Sequence, residues 1–163
     1  MDTEKVWRFA GSEGLPRLLF VNKMDRENAD FAGAVAEIKE KLSQRAIPLF
    51  WPIGAEDEFS GIIDVLSGKA YLLIEGKLTE GPVPVALASV LEDVRQGALE
   101  TIAETDDALL NKYLEGTELT SEELYGALQR GIAKAELFPI FCGSAQRNMG
   151  VQQLLDGITT YVP

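Results

Sequence analysis

Asn22-Lys23-Met24-Asp25 puts an amide, a cation and a carboxylate within four positions, a set able to read a purine base. Guanine presents two adjacent donors, the ring N1–H and the exocyclic amino group. One carboxylate accepts both, and that role is open to Asp25. Adenine offers neither donor at that edge, so the carboxylate would be desolvated without a partner. The amide of Asn22 can fix the turn and reach the base edge. The aliphatic stem of Lys23 can lie along the base face while its ammonium stays in water. Far downstream, Gly143-Ser144-Ala145 supplies small residues that let a backbone approach a ring closely. Amides of that turn can donate to the guanine carbonyl oxygen. Plainer uses exist: Asp25 or Asn28 can simply cap the next helix, and Ser144 can be an ordinary turn residue.

The elements around these segments give them their meaning. Residues 17–21, Arg-Leu-Leu-Phe-Val, are an apolar run after one charge, as a central parallel strand reads. Residues 137–142 form a second such run. Each candidate motif thus stands at the carboxyl end of a strand, where open parallel sheets bind ligands. A helix is expected over 3–10, and another from Phe31 to about Gln44, with Phe31, Val35, Ile38 and Leu42 on one face. A last helix should bury Val151, Leu154, Leu155 and Ile158.

Between these pieces the chain changes character. Residues 47–53, 61–65 and 70–74 are short β-type runs, with Glu75-Gly76 turning one strand back toward Leu78. Helical spacing resumes from Pro84 with Leu87, Leu91, Val94, Ala98 and Ile102. A shorter helix over 106–114 ends at Gly116, and Thr120 or Ser121 caps another that runs to about Ala133. The expected fold class is α/β: one βαβα unit of a parallel sheet, formed by residues 1–44 and 134–163, with a right-handed crossover. Residues 45–133 are expected to form an inserted α+β subdomain.

Composition narrows the function classes. The formal net charge is −11, from 26 acidic and 15 basic residues. Such a surface repels phosphate backbones, so no direct grip on nucleic acid is expected. A basic protein partner suits it better, although acidity also serves solubility alone. With no histidine and one cysteine, Cys142, neither a zinc site nor an internal disulfide is expected. A reducing cytoplasm is the expected location, and Cys142 reads as a buried packing residue. No signal peptide is read at the start, and no run approaches the roughly 20 apolar residues of a membrane span. Trp7 and Trp51 read as packing aromatics. Asp57 with Glu56 and Glu58 makes an acidic turn that could attract a cation or merely be solvated.

The phosphate half of a nucleotide site is not legible. A phosphate-cradling loop reads Gly-x4-Gly-Lys-Ser/Thr, whereas Gly68-Lys69 and Gly76-Lys77 are followed by Ala70 and Leu78, without the hydroxyl that would hold magnesium. Asp30 to Gly33 matches Asp-x-x-Gly but falls within the helix expected after the first motif. The expected reading is base recognition, with no catalytic residue, no metal ligand and no GTP hydrolysis by this chain alone.

Phe20-Val21-Asn22-Lys23-Met24-Asp25-Arg26 resembles bacterial elongation factor G. So do Pro52-Ile53-Gly54-Ala55-Glu56-Asp57, Lys112-Tyr113-Leu114-Glu115-Gly116 and Cys142-Gly143-Ser144-Ala145, together with the segments Thr3-Glu4-Lys5-Val6-Trp7 and Tyr161-Val162-Pro163. The resemblance runs over essentially the whole chain, in order. It implies the C-terminal part of a P-loop GTPase domain with its inserted subdomain, belonging to a longer protein. It implies GTP/GDP as ligand, bound through Asn22, Lys23, Met24, Asp25, Ser144 and Ala145, with magnesium held only in the longer protein. It further implies ribosome-dependent translocation, and contact of the inserted lobe with the large-subunit stalk protein. The hairpin over 71–84 is shorter than in many relatives, which leaves open a paralogue with a different ribosomal role. An interaction module that docks the stalk protein without enzymatic activity is the alternative reading.

Overall fold

The computed structural model describes residues 2–163. Helix α1 (Thr3–Ser12) starts at Asp2, whose side chain accepts the Glu4 N–H. Strand β1 (Leu19–Val21) follows, then helix α2 (Phe31–Lys41), capped by Asp30 accepting the Gly33 N–H at 3.0 Å. Helix α2 stops short of the expected Gln44, where the N–H groups of Leu42 and Ser43 both turn back to the Ile38 carbonyl.

The β-run expected over 47–53 is two strands in two sheets. Strand β2 (Ala46–Pro48) and strand β3 (Phe50–Ile53) are separated by Leu49 alone. The Leu49 N–H donates to the Ile140 carbonyl, and its own carbonyl accepts from the Val65 N–H, each at 3.0 Å. One residue thereby stitches the sheets together.

Strands β4 (Gly61–Asp64), β5 (Ala70–Ile74) and β6 (Lys77–Gly81) complete an antiparallel sheet ordered β3-β4-β5-β6. The β5–β6 turn has positive φ at both Glu75 and Gly76, which matches the right-handed twist of a two-residue hairpin. Helix α3 (Ala88–Ala103), helix α4 (Asp107–Leu114) and helix α5 (Ser121–Ala133) follow, the last with a reciprocal capping box between Thr120 and Glu123. Strand β7 (Phe138–Cys142) and helix α6 (Val151–Tyr161) end the chain's regular structure.

Strand β7 is the centre of a three-stranded, all-parallel sheet ordered β1-β7-β2. Strand β2, placed with the inserted lobe by sequence, is thus hydrogen-bonded in the parallel sheet. Its register sets Ala46 opposite Phe138, on the edge of β7 to which α2 returns the chain. Strand β1 starts at Leu19 rather than Arg17. Gly143 donates to the Val21 carbonyl, so alternate residues of β7 turn their N–H toward β1, and Pro139 on that side has none to give.

Alternation along β7 sorts the core. Phe138, Ile140 and Cys142 join Met24, Phe31 and Val35 under α2, along with Phe59 and, from β4, Ile62. Phe141 faces the other way, into a cluster with Ile102 of α3 and Leu128 and Ile132 of α5. Helix α6 departs from expectation: Leu155 and Ile158 are 50% and 41% exposed. Its inward line is Leu154, Gly157 and Tyr161, because Gly157 lets the helix lie against the Phe141 ring, where a Cβ would come within 2.4 Å of Cζ. Among the described residues no helix is long and apolar enough to cross a membrane.

Candidate functional site

The two expected motifs meet at the carboxyl edge of the parallel sheet. Strand β1 runs into the 22–26 turn and β7 into the 143–150 turn, and backbone bonds tie them together. Gly143 donates to the Val21 carbonyl and Met24 donates to the Gly143 carbonyl, each at 3.1 Å. Asn22 is the cross-brace: its side-chain oxygen accepts the Lys23 N–H at 2.8 Å and the Ala145 N–H at 2.9 Å. Its oxygen is therefore committed to the two turns, leaving its amino group for other partners.

Met24 is 2% exposed and anchors the first turn in the core, while Lys23 stands exposed with φ at 63°. Asn28 and Glu56 also have positive φ, at 65° and 56°. Left-handed backbone at Lys23 and Glu56 is costly without glycine, and the surrounding hydrogen bonds hold it. Glu56 belongs to the acidic turn Glu56–Glu58. Its N–H donates to the Met24 carbonyl at 2.8 Å, and its carboxylate accepts the Asn28 N–H at 2.7 Å. That turn clamps the first motif. Among the described residues no cluster of three or more His, Cys, Asp or Glu could hold a metal ion.

The carboxylate of Asp25 is nearly covered, with its side chain 8% exposed. Beside it are the Ser144 hydroxyl and the guanidinium groups of Arg147 and Arg26, with Nε at 3.6 Å and 4.0 Å from Oδ2. The Ser144 hydroxyl above all, then a backbone hydrogen bond and after it the two guanidiniums, hold the Asp25 carboxyl below its ordinary value against the opposing effect of burial. Ser144 is itself 1% exposed, and its hydroxyl accepts the Arg147 N–H at 3.2 Å.

In the second turn the Ser144 N–H is taken by the Met149 carbonyl and the Ala145 N–H by Asn22. The Gln146 N–H donates to nothing among the described residues. The Gln146 side chain accepts from Arg26, closing a second bridge between the turns. Cys142 is buried and its thiol is pushed up by desolvation, far from a nucleophile's range.

Sequence reasoning thus pointed to Asn22, Lys23, Met24, Asp25, Ser144 and Ala145, and the fold brings all six to one edge. It missed Glu56 as a clamp, Arg26 and Arg147 as neighbours of Asp25, and Gln146 as the partner of Arg26. No spacing rule joins Arg26 to Gln146; only the parallel pairing of β1 with β7 does. The Gly68-Lys69 and Gly76-Lys77 pairs fall in antiparallel turns, and Asp30 is a helix cap.

Residues 1–163 match the family described as the Elongation factor Tu GTP binding domain. A crystal structure of a protein from Thermus thermophilus is similar to the chain, with a TM-score of 0.89 and 35% sequence identity. The match covers 99% of this chain and 24% of that one, so the chain spans about a quarter of that protein's length.

Proposed function

The chain belongs to the elongation factor Tu GTP-binding domain family of translational GTPases, and we propose that it supplies guanine-base recognition to a longer GTPase of the elongation factor G type. One observation carries this reading. The Asn22 side-chain oxygen bonds both strand-end turns, and so holds the turn that carries Asp25 against the turn that carries Ser144. In this reading Asp25 accepts the two guanine donors and Ser144 orients the carboxylate. Lys23 covers a base face, Met24 anchors the turn, and the turn at Ala145 faces the guanine carbonyl. The paired charged hydrogen bonds of Asp25 are the discriminating contact, because adenine would leave them unmade.

Residues 1–44 and 134–163 form the base-reading part and 45–133 the inserted subdomain, with β2 lent to the parallel sheet. The triphosphate and magnesium are held by other parts of the longer protein, since neither Gly-Lys pair here is followed by a hydroxyl residue. This chain alone does not hydrolyse GTP. The longer protein works on the ribosome, in the cytoplasm, as a translocation factor.

Amide NMR of this chain with GDP, against ADP, tests the reading. Shifts confined to residues 22–25 and 144–146 and seen only with GDP support it. Equal responses to both nucleotides, or silence to both, sink it.

A second reading concerns the lobe. Glu92, Asp93 and Glu100 of α3 and Glu104 at its C-cap are exposed and form no ion pair among the described residues. An acidic helix face of that kind favours a basic partner, and the stalk protein of the large ribosomal subunit is the partner proposed. Binding of that protein to the chain in the absence of nucleotide, weakening with salt, is the corresponding test.

A further inference from the structure

The geometry points to Arg147 as an internal competitor of the base: its guanidinium and a guanine edge bid for the same Asp25 carboxylate, and only one can hold it. This rests on the base-reading role of Asp25 proposed above. A guanidinium and the N1–H/amino edge of guanine offer a carboxylate the same thing, two parallel N–H donors. A carboxylate has lone pairs enough for several donors in open solvent. Asp25 is not in open solvent. Its side chain is 8% exposed, with the Ser144 hydroxyl, Arg147 and Arg26 around it. Access for a second planar group with paired donors therefore requires one of these neighbours to leave.

Arg147 is the one free to go. Ser144 is 1% exposed and fixed by the core, and Arg26 is tethered to Gln146. The Arg147 side chain is 37% exposed and its only polar partner among the described residues is Asp25, while its backbone N–H stays anchored on the Ser144 hydroxyl. The guanidinium can swing into water about a fixed Cα without disturbing the turn. A ligand lacking paired donors, such as adenine, gains nothing by displacing it, so the competitor is overcome only by a base of the guanine type.

The test is a GDP titration of the whole chain, followed by amide NMR, in wild type, R147A, R147K and R8A. Arg8 lies on α1 away from the turns, so R8A matches the charge change of R147A without touching the site. A half-exposed ion pair is weak, so its removal should tighten GDP about two- to fivefold. R147K should fall between wild type and R147A, R8A should equal wild type, and ADP should remain silent throughout. GDP affinity equal to or weaker than wild type in R147A overturns competition while leaving base recognition standing. Silence to GDP in every variant overturns base recognition, and the competition with it.

Discussion

The turn at 22–26 and the outer face of α3 both carry acidic charge, and they hold it in opposite ways. Asp25 is 8% exposed, flanked by a buried hydroxyl and two guanidiniums, on a backbone braced by Asn22 and clamped by Glu56. Glu92, Asp93 and Glu100 are exposed side chains on a regular helix, with Glu104 exposed at its C-cap. Recognition of two specific donors needs a carboxylate held still and largely out of water, because only there does a missing partner cost enough to discriminate. Attracting a basic partner needs only accumulated charge in reach of solvent, and its effect is screened by salt. The first region is intolerant of change by construction, and the second is permissive.

Paired glycine substitutions probe this contrast most strongly. A Cβ on Gly143 would fall 2.0 Å from the Met149 carbonyl oxygen, the acceptor of the Ser144 N–H. Gly143→Ala should destabilise the fold by about 3 kcal/mol, read by denaturant unfolding. Gly97, exposed on α3 with open space around its Cβ, should respond oppositely. Gly97→Ala should stabilise by about 0.5–1 kcal/mol through helix propensity. Similar costs at the two positions would erase the distinction.

Next in size is Asp25→Asn, which should weaken GDP binding by more than about tenfold and shift preference toward xanthosine diphosphate. Unchanged guanine preference would remove Asp25 from its role. Acid should act in the same direction. The Ser144 hydroxyl, followed by a backbone hydrogen bond and then the two guanidiniums, holds the folded-state pKa of Asp25 below the ordinary 3.8. The carboxylate's contribution is therefore complete above that value and is lost as pH falls through the lowered one. GDP affinity should be flat between about pH 5 and pH 7, and decline only in stronger acid.

The smallest effect on folding should come from the permissive region. Combined reversal of Glu92, Glu100 and Glu104 to lysine should change stability by less than about 0.5 kcal/mol per site. The same triple variant should lose affinity for a basic stalk protein and lose the salt dependence of that binding. Docking indifferent to both would locate the partner surface elsewhere.

Much of this was legible because local rules sufficed. The Thr120 cap, the Glu75-Gly76 hairpin turn and the apolar strand 137–142 stand where side-chain type and spacing put them, whereas the cap of α2 is Asp30 and not Asp25 or Asn28, and Asp106 caps α4 instead of opening it. The inward face of α6 was misread because periodicity marks Leu155 and Ile158 as apolar without saying which line of the helix meets Phe141. Gly157 decides that, by allowing the closest approach. The split at Leu49 was invisible for a similar reason. Pro48 and Pro52 interrupt the 47–53 run, but a proline does not tell that the chain leaves one sheet for another at Leu49.

The same division runs through the site. The sequence alone determined which groups could read a base, an amide, a cation and a carboxylate after one strand and small residues after another, because hydrogen-bonding chemistry belongs to residue types. Only the tertiary structure decided what surrounds Asp25. Ser144, Arg147 and the Glu56 clamp arrive from segments far apart along the chain, brought in by the parallel pairing of β1 with β7 and by the 54–58 turn packing on the 22–28 turn. Burial and close charge are properties of packing, and no spacing along one chain encodes them.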